Sequence, residues 1–236
     1  MGYMPYRYGF FGDPTLILVL IGLGLTLLAS LRVKSVFATY SRVRNMAGLT
    51  GAEAAARALR QAGIYDVRIE RVAGSMTDHY DPRNKVLRLS ETVYDTPSIA
   101  AVGVAVHECG HAVQHQVGYG PLALRSVFVP TAQIGSTLGW PIFLIGLISS
   151  ISILMTIGII LFAAAVVFQL ITLPVEFNAS SRALRLIEET GMLSKDENRG
   201  ARKVLSAAAM TYVAALSASV LNLLRLIILA GGRDRD

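Results

Sequence analysis

His107, Glu108 and His111 stand in the order His-Glu-x-x-His, with Cys109 and Gly110 between them. Residues four apart share one helix face, so on a helix both imidazoles can reach a single metal ion. Glu108 sits beside that face, where its carboxylate can accept a proton from a water activated by the ion. Together these residue types support hydrolysis by zinc-activated water. The chain has 4 His in 236 residues, so a shuffled version would carry the pattern only about twice in a thousand. The competing reading is a helix with two incidental core histidines. Val102, Val104, Ala105, Val106, Ala112 and Val113 do make this a buried helix. A buried His pair beside a buried Glu needs partners, however, and a metal ion supplies them.

A catalytic zinc takes three protein ligands and keeps a fourth position open. His115, a turn beyond His111, is one candidate for the third. A metzincin would place a glycine and a further His where this chain has Gln114 and Val117, so that class does not fit. His115 therefore reads as a polar residue near the site on a continuing helix. Glu176, in Leu-Pro-Val-Glu-Phe-Asn-Ala-Ser, is the better third ligand. Two apolar runs separate it from His111, so the chain crosses a membrane and returns, and the two residues face the same compartment. Gly110 gives a steric reason, because a second helix can approach closely where no side chain intervenes. The alternative role for Glu176 is a first-turn glutamate favoured by a helix dipole.

The elements that must position these groups are mostly apolar helices. The chain is 53% hydrophobic with a mean hydropathy of +0.51, too apolar for a typical soluble domain. Residues 14–31, 127–148, 153–173 and 206–230 are apolar runs, and a bilayer core needs about twenty residues per helix. Four transmembrane helices are expected. The fourth run carries Asn222 and Arg225, which leaves a buried or interfacial helix as its alternative; in a spanning helix Arg225 could snorkel. The first run is longer than a signal-peptide core of about 7–15 residues and no small-x-small site precedes Arg32, so a retained anchor is expected. The lone Cys109 excludes an intrachain disulfide and reads as a buried thiol pointing away from the metal face.

Basic residues set the expected orientation. Twelve of the 22 Lys and Arg fall within residues 32–125 and six within 182–203, so both large loops are expected in the cytoplasm and both termini outside. The net charge of +6 suits anionic lipid headgroups better than nucleic acid, for which no motif is present. The organisation that follows is a tail and anchor (1–31), a cytoplasmic part with the His-Glu-x-x-His helix (32–126), a transmembrane hairpin (127–173), cytoplasmic helices with the third ligand (174–205), and a last transmembrane helix and tail (206–236). Within this plan, residues 32–50 continue helically from the anchor. Thr50-Gly-Ala-Glu53 is a capping box opening a helix that stops at Gly63. Residues 67–72 and 85–89 alternate as half-exposed strands about a turn at Asp81-Pro82-Arg83-Asn84. A helix over 96–117 follows, with Thr96 as N-cap, Pro97 in the first turn and Gly118 beyond its end. Another helix is expected to start at Pro174 and close at Gly191, and a further one at Lys195, running into the last apolar run.

His-Glu-Cys-Gly-His preceded by Asn-Lys-Val-Leu-Arg-Leu-Ser-Glu, then an apolar hairpin and Leu-Pro-Val-Glu-Phe-Asn-Ala-Ser-Ser-Arg-Ala-Leu, resembles the YugP-type neutral zinc metallopeptidases. These are small bacterial integral-membrane proteins similar to the wider Glu-zincin class that includes the HtpX-like membrane proteases. The resemblance covers nearly the whole chain. It implies a mostly α integral membrane protein, with four transmembrane helices and a small α+β zincin-like cytoplasmic domain. It also implies His107, His111 and Glu176 on Zn2+ and Glu108 as general base. The wider class often has an acid four residues after the third ligand, orienting the first His; this chain has Ser180 there, with Asn178 nearby.

The expected function is peptide-bond hydrolysis in the bacterial cell membrane, on peptide or protein substrates that include membrane proteins. Strand 85–89, if at a sheet edge, would hold an extended peptide by backbone pairing; its other role is simple sheet formation. Arg182, His79 and Tyr80 are oxyanion-donor candidates by chemistry alone, and each also reads as structural. The rival class is a non-catalytic zinc-containing scaffold or a peptide-binding pseudoprotease. Glu108 argues against it, because a structural zinc site needs no base. A small transporter is the third class, but the ionisable residues cluster in loops rather than mid-span.

Overall fold

The computed structural model describes residues 13–231; the tail with Arg7 and the end with Arg233 and Arg235 lie outside the described residues. In chain order the elements are α1 (Leu16–Ser41), α2 (Gly51–Gln61), β1 (Arg68–Val72), β2 (His79–Asp81), β3 (Val86–Ser90), α3 (Glu91–Tyr94), α4 (Ile99–Gln116), α5 (Gly120–Ser149), α6 (Ser152–Thr190) and α7 (Lys195–Gly231). The fold is mostly helical with one small sheet. Four helices, α1, α5, α6 and α7, are long and apolar enough to cross a membrane. α5, α6 and α7 each contain one of the expected apolar runs; α1 takes in the first from residue 16 and ends at Ser41, so the helical continuation expected over 32–50 stops there.

The described chain divides into two compact units, one of residues 13–27, 130–167 and 214–231, the other of residues 28–129 and 168–213. The first consists of helical segments and the short stretches that flank them. Glycine lets its backbones approach closely: a Cβ on Gly135 would strike the Leu161 carbonyl, and one on Gly158 would lie 2.6 Å from the Phe143 nitrogen. Such small-residue contacts are how apolar helices pack without a hydrophobic gain between them. Phe143, Met155 and Leu226 form the core of this unit. Arg225 of α7 has its partners just before α1. Its guanidinium donates to Asp13 Oδ2 at 3.0 Å and to Thr15 Oγ1 at 3.3 Å.

The second unit carries the sheet and α4. Thr50 forms the expected capping box, its Oγ1 accepting from Glu53 N while Glu53 Oε2 accepts from Thr50 N at 2.8 Å. The apolar face of α2 (Ala54, Ala55, Ala58, Leu59) packs with Leu87 and Leu89 of β3 and with Ala101, Ala105, Cys109 and Ala112 of α4. The run of small residues on α4 keeps that contact close and turns the histidine face elsewhere.

The expected helix start at Thr96 is corrected. α4 begins at Ile99, and Ser98 is the N-cap, its Oγ accepting from Ala101 N at 3.1 Å. The Pro97 carbonyl is held by Asn45 N at 3.0 Å, and a residue before proline resists the helical region, so Thr96 and Pro97 stay outside. Gly118, with φ +62°, follows the helix end as expected.

The sheet differs more. β3 is its central strand, paired parallel to β1 and antiparallel to β2. The turn at 81–84 therefore joins β2 to β3, and β2 is a strand the alternation did not reveal: three polar-leaning residues are too short to show a period. An edge role for strand 85–89 is overturned, because both of its edges are occupied.

The helix expected from Pro174 has no separate start. α6 runs unbroken from Ser152 through Pro174 to Thr190, and Gly191 at φ +61° ends it. Proline removes a single backbone donor, which a long helix tolerates when its flanks stay bonded. α7 begins at Lys195 and runs into the last apolar stretch as one helix.

Candidate metal centre

The side chains of His107, His111 and Glu176 bring three ligand atoms within 4.8 Å of one another. α4 supplies the two imidazoles from one face and α6 the carboxylate. Glu176 Oε2 lies 3.3 Å from His107 Nε2 and 3.6 Å from His111 Nε2. Only 4% of the Glu176 side chain is exposed, against 15% and 12% for the histidines. Because Glu176 sits mid-helix, a helix-dipole role for it falls away. The close approach has the cause expected at Gly110: a Cβ there would lie 2.5 Å from the Ala179 carbonyl oxygen of α6. Any side chain at 110 would force α4 and α6 apart and withdraw Glu176 from the histidines.

The nitrogens that face away from Glu176 are both held. His107 Nδ1 lies 3.1 Å from Ser180 Oγ, so a serine occupies the place where the wider class often has an acid. His111 Nδ1 lies 3.0 Å from Gln114 Oε1. The Gln114 amide nitrogen donates to the Val175 carbonyl at 2.8 Å and to Asn178 Oδ1 at 3.0 Å. A carbonyl can only accept, so Gln114 must turn its oxygen to His111, and His111 Nδ1 must carry the proton. Its Nε2 lone pair is thereby aimed at Glu176, the arrangement a metal-ligating histidine requires. Arg182 Nε completes this chain by donating to Asn178 Oδ1 at 2.7 Å.

Arg125 fixes the remaining oxygen. Its Nη1 donates to Glu176 Oε1 at 2.9 Å, leaving Oε2 as the atom turned to the imidazoles. Burial opposes charge on His111, yet the negatively charged Glu176 and Glu108 close to the ring outweigh it and lift its pKa above the ordinary imidazole value. The pocket thus attracts a cation between the imidazoles and the carboxylate. Two imidazole nitrogens, that of His111 with its tautomer set by Gln114, and one carboxylate oxygen are the donor set that suits a zinc ion with one open position.

Glu108 is buried and lines both clefts that meet at this centre. One cleft is formed by Asp78, His79, Tyr80, Arg125, Ser126 and their neighbours; the other is largely apolar, with Val33, Phe37 and Ala208 among its walls. Tyr212 of α7 lines both. His115 points elsewhere, its Nδ1 2.9 Å from the Tyr80 hydroxyl, in a separate depression with Tyr65 and Asp66. Burial, then the charges of Asp66 and Asp81, push the Tyr80 hydroxyl up to about 12, so it stays protonated. Cys109 lies on the opposite face, fully buried, its Sγ against the Ala55 and Ala105 carbonyls. Burial pushes its thiol well up, so it is no thiolate ligand.

Sequence reasoning missed Gln114, Arg125 and Tyr212 as parts of the site. Arg125 and Tyr212 each carried a signal, as polar groups at or within apolar runs, where such residues mark function.

Residues 15–231 match the family described as "Putative neutral zinc metallopeptidase". The chain is 51% identical over 220 residues, covering 93% of its own length and 98% of the relative, to a Bacillus subtilis protein named "Putative membrane protease YugP". No solved structure matches the chain.

Proposed function

The chain belongs to the "putative neutral zinc metallopeptidase" family, and from that premise we propose that it is a membrane-embedded zinc metalloprotease with Glu108 as its general base. The observation that carries the reading is the convergence of His107, His111 and Glu176 from two helices with a buried Glu next to the first ligand. Zinc held by those three residues would polarise a peptide carbonyl and make water more acidic. Glu108 takes the proton of the attacking water and passes it to the leaving amine nitrogen. Ser180 and Gln114 keep the rings aimed, and Arg125 keeps Glu176 to one inward oxygen. Extended substrate backbone would pair along β2, an edge strand whose His79 and Tyr80 line the more polar cleft, in a sequence-tolerant mode.

Purified full-length protein in detergent is expected to cleave an unstructured protein such as casein, to stop on treatment with a zinc chelator, and to resume when zinc is restored. Cleavage that persists after the metal is stripped would refute the reading.

The four long apolar helices would span the bacterial cell membrane, and the basic residues would keep the centre in the cytoplasm. A tag in the exposed turn at 74–77 is therefore expected to be protected from an impermeant reagent in intact cells, while tags at either terminus are labelled. Labelling of the turn in sealed cells would reverse the orientation.

A further inference from the structure

Two clefts share His107, Glu108, Glu176 and Tyr212, and they differ in chemistry. One offers Asp78, His79, Tyr80, Arg125 and Ser126. The other is walled by Val33 and Phe37 of α1, Val104 of α4, and Leu205, Ala208 and Ala209 of α7. Asp78 also reaches this second cavity, but its two carboxylate oxygens accept from Ser90 N at 2.7 Å and Ser90 Oγ at 3.0 Å. Its remaining carboxylates, Glu108 and Glu176, belong to the centre itself. The volume is ≈ 150 Å³, and an aliphatic cavity of about this size takes up a benzene-sized group.

We propose that this apolar cavity is the subsite that receives one substrate side chain next to the reacting bond, and that the side chain is a bulky apolar one, of leucine or phenylalanine size. The inference rests on the metallopeptidase reading and narrows its substrate class. The cavity opens on the centre, so a peptide whose carbonyl lies between Glu108 and Glu176 brings an adjacent side chain to its mouth. Burying an aliphatic group there removes apolar surface from water on both partners. Ser180 and Tyr212 also line the cavity, Ser180 engaged with His107 Nδ1 at 3.1 Å. Away from them, a serine or aspartate side chain among the valine, leucine and alanine walls would lose its water without gaining a hydrogen-bond partner. Ala208 and Ala209 set the depth: with larger residues at these positions little of the volume would remain.

The test is equilibrium binding to the zinc-loaded, full-length protein in detergent, with two peptide hydroxamates that differ only in leucine or serine beside the metal-binding group. The leucyl compound is expected to bind at least about tenfold more tightly, the usual scale for apolar groups in such pockets. Ala208→Leu is expected to abolish that preference while retaining zinc. Equal affinities for the two compounds, or failure of both to bind, would overturn the proposal, and so would a preference left intact by Ala208→Leu. If that variant does not fold, the wild-type pair decides. Cleavage of casein with no leucyl preference would reject the subsite and keep the protease; a leucyl preference without cleavage of any leucine-containing peptide would do the reverse.

Discussion

Glu108→Gln is expected to retain zinc and fold while losing turnover by a factor of at least about 10², the usual share of general-base catalysis. The substitution preserves size and hydrogen-bonding capacity but removes the basic oxygen. Glu108 is not among the three converging ligand atoms, so metal content should not fall. Its burial beside the first ligand is the reason for the large effect. A carboxylate in that position is costly unless it has a task, and the lost charge cannot be replaced by bulk water entering from a distance. Thermal stability is expected to stay level or rise slightly, because a buried negative charge is removed. Equal cleavage rates for wild type and Glu108→Gln would contradict the mechanism.

The second large effect concerns the metal. His107→Ala, His111→Ala and Glu176→Ala are each expected to reduce zinc from about one per chain to less than about a tenth after dialysis, because two ligands hold zinc poorly. Arg125→Leu should act more mildly. It releases Glu176 Oε1 from its 2.9 Å partner without removing a ligand, so a loss of about 10- to 100-fold in affinity is expected, as for other groups that orient metal ligands. His115→Ala serves as the control, since its ring is bonded to Tyr80, and its zinc content should match wild type. Plasma emission analysis of dialysed protein reads all five variants. Full occupancy in Glu176→Ala together with loss in His115→Ala would move the third ligand.

Much of this arrangement could be read from residue types and spacing. His107, Glu108 and His111 declared themselves because a four-residue spacing maps directly onto one helix face. Gly110 pointed to a close helix contact, and the contact partner is Ala179 of the helix that carries Glu176. Long apolar runs gave the four long helices, since nothing but a helix satisfies so many consecutive backbone groups in an apolar setting. Other features depended on tertiary context. β2 is three residues long and takes its place only because β3 offers it an edge. Pro174 looked like a helix start, yet α6 continues through it, because packing on both sides outweighs one missing backbone bond. Gln114, which holds His111, also donates to the Val175 carbonyl 61 positions further along the chain, and no local pattern announces that bridge. Ser180 was visible by its offset from Glu176, but whether it touched His107 was a question of helix rotation.

X-ray absorption at the zinc edge, on the full-length loaded protein, tests most directly whether His107, His111 and Glu176 hold the ion. The account predicts a first shell of nitrogen and oxygen at about 2.0–2.1 Å with outer scattering from two imidazoles and no sulfur. Scattering from sulfur at about 2.3 Å, or the absence of imidazole features, would contradict it.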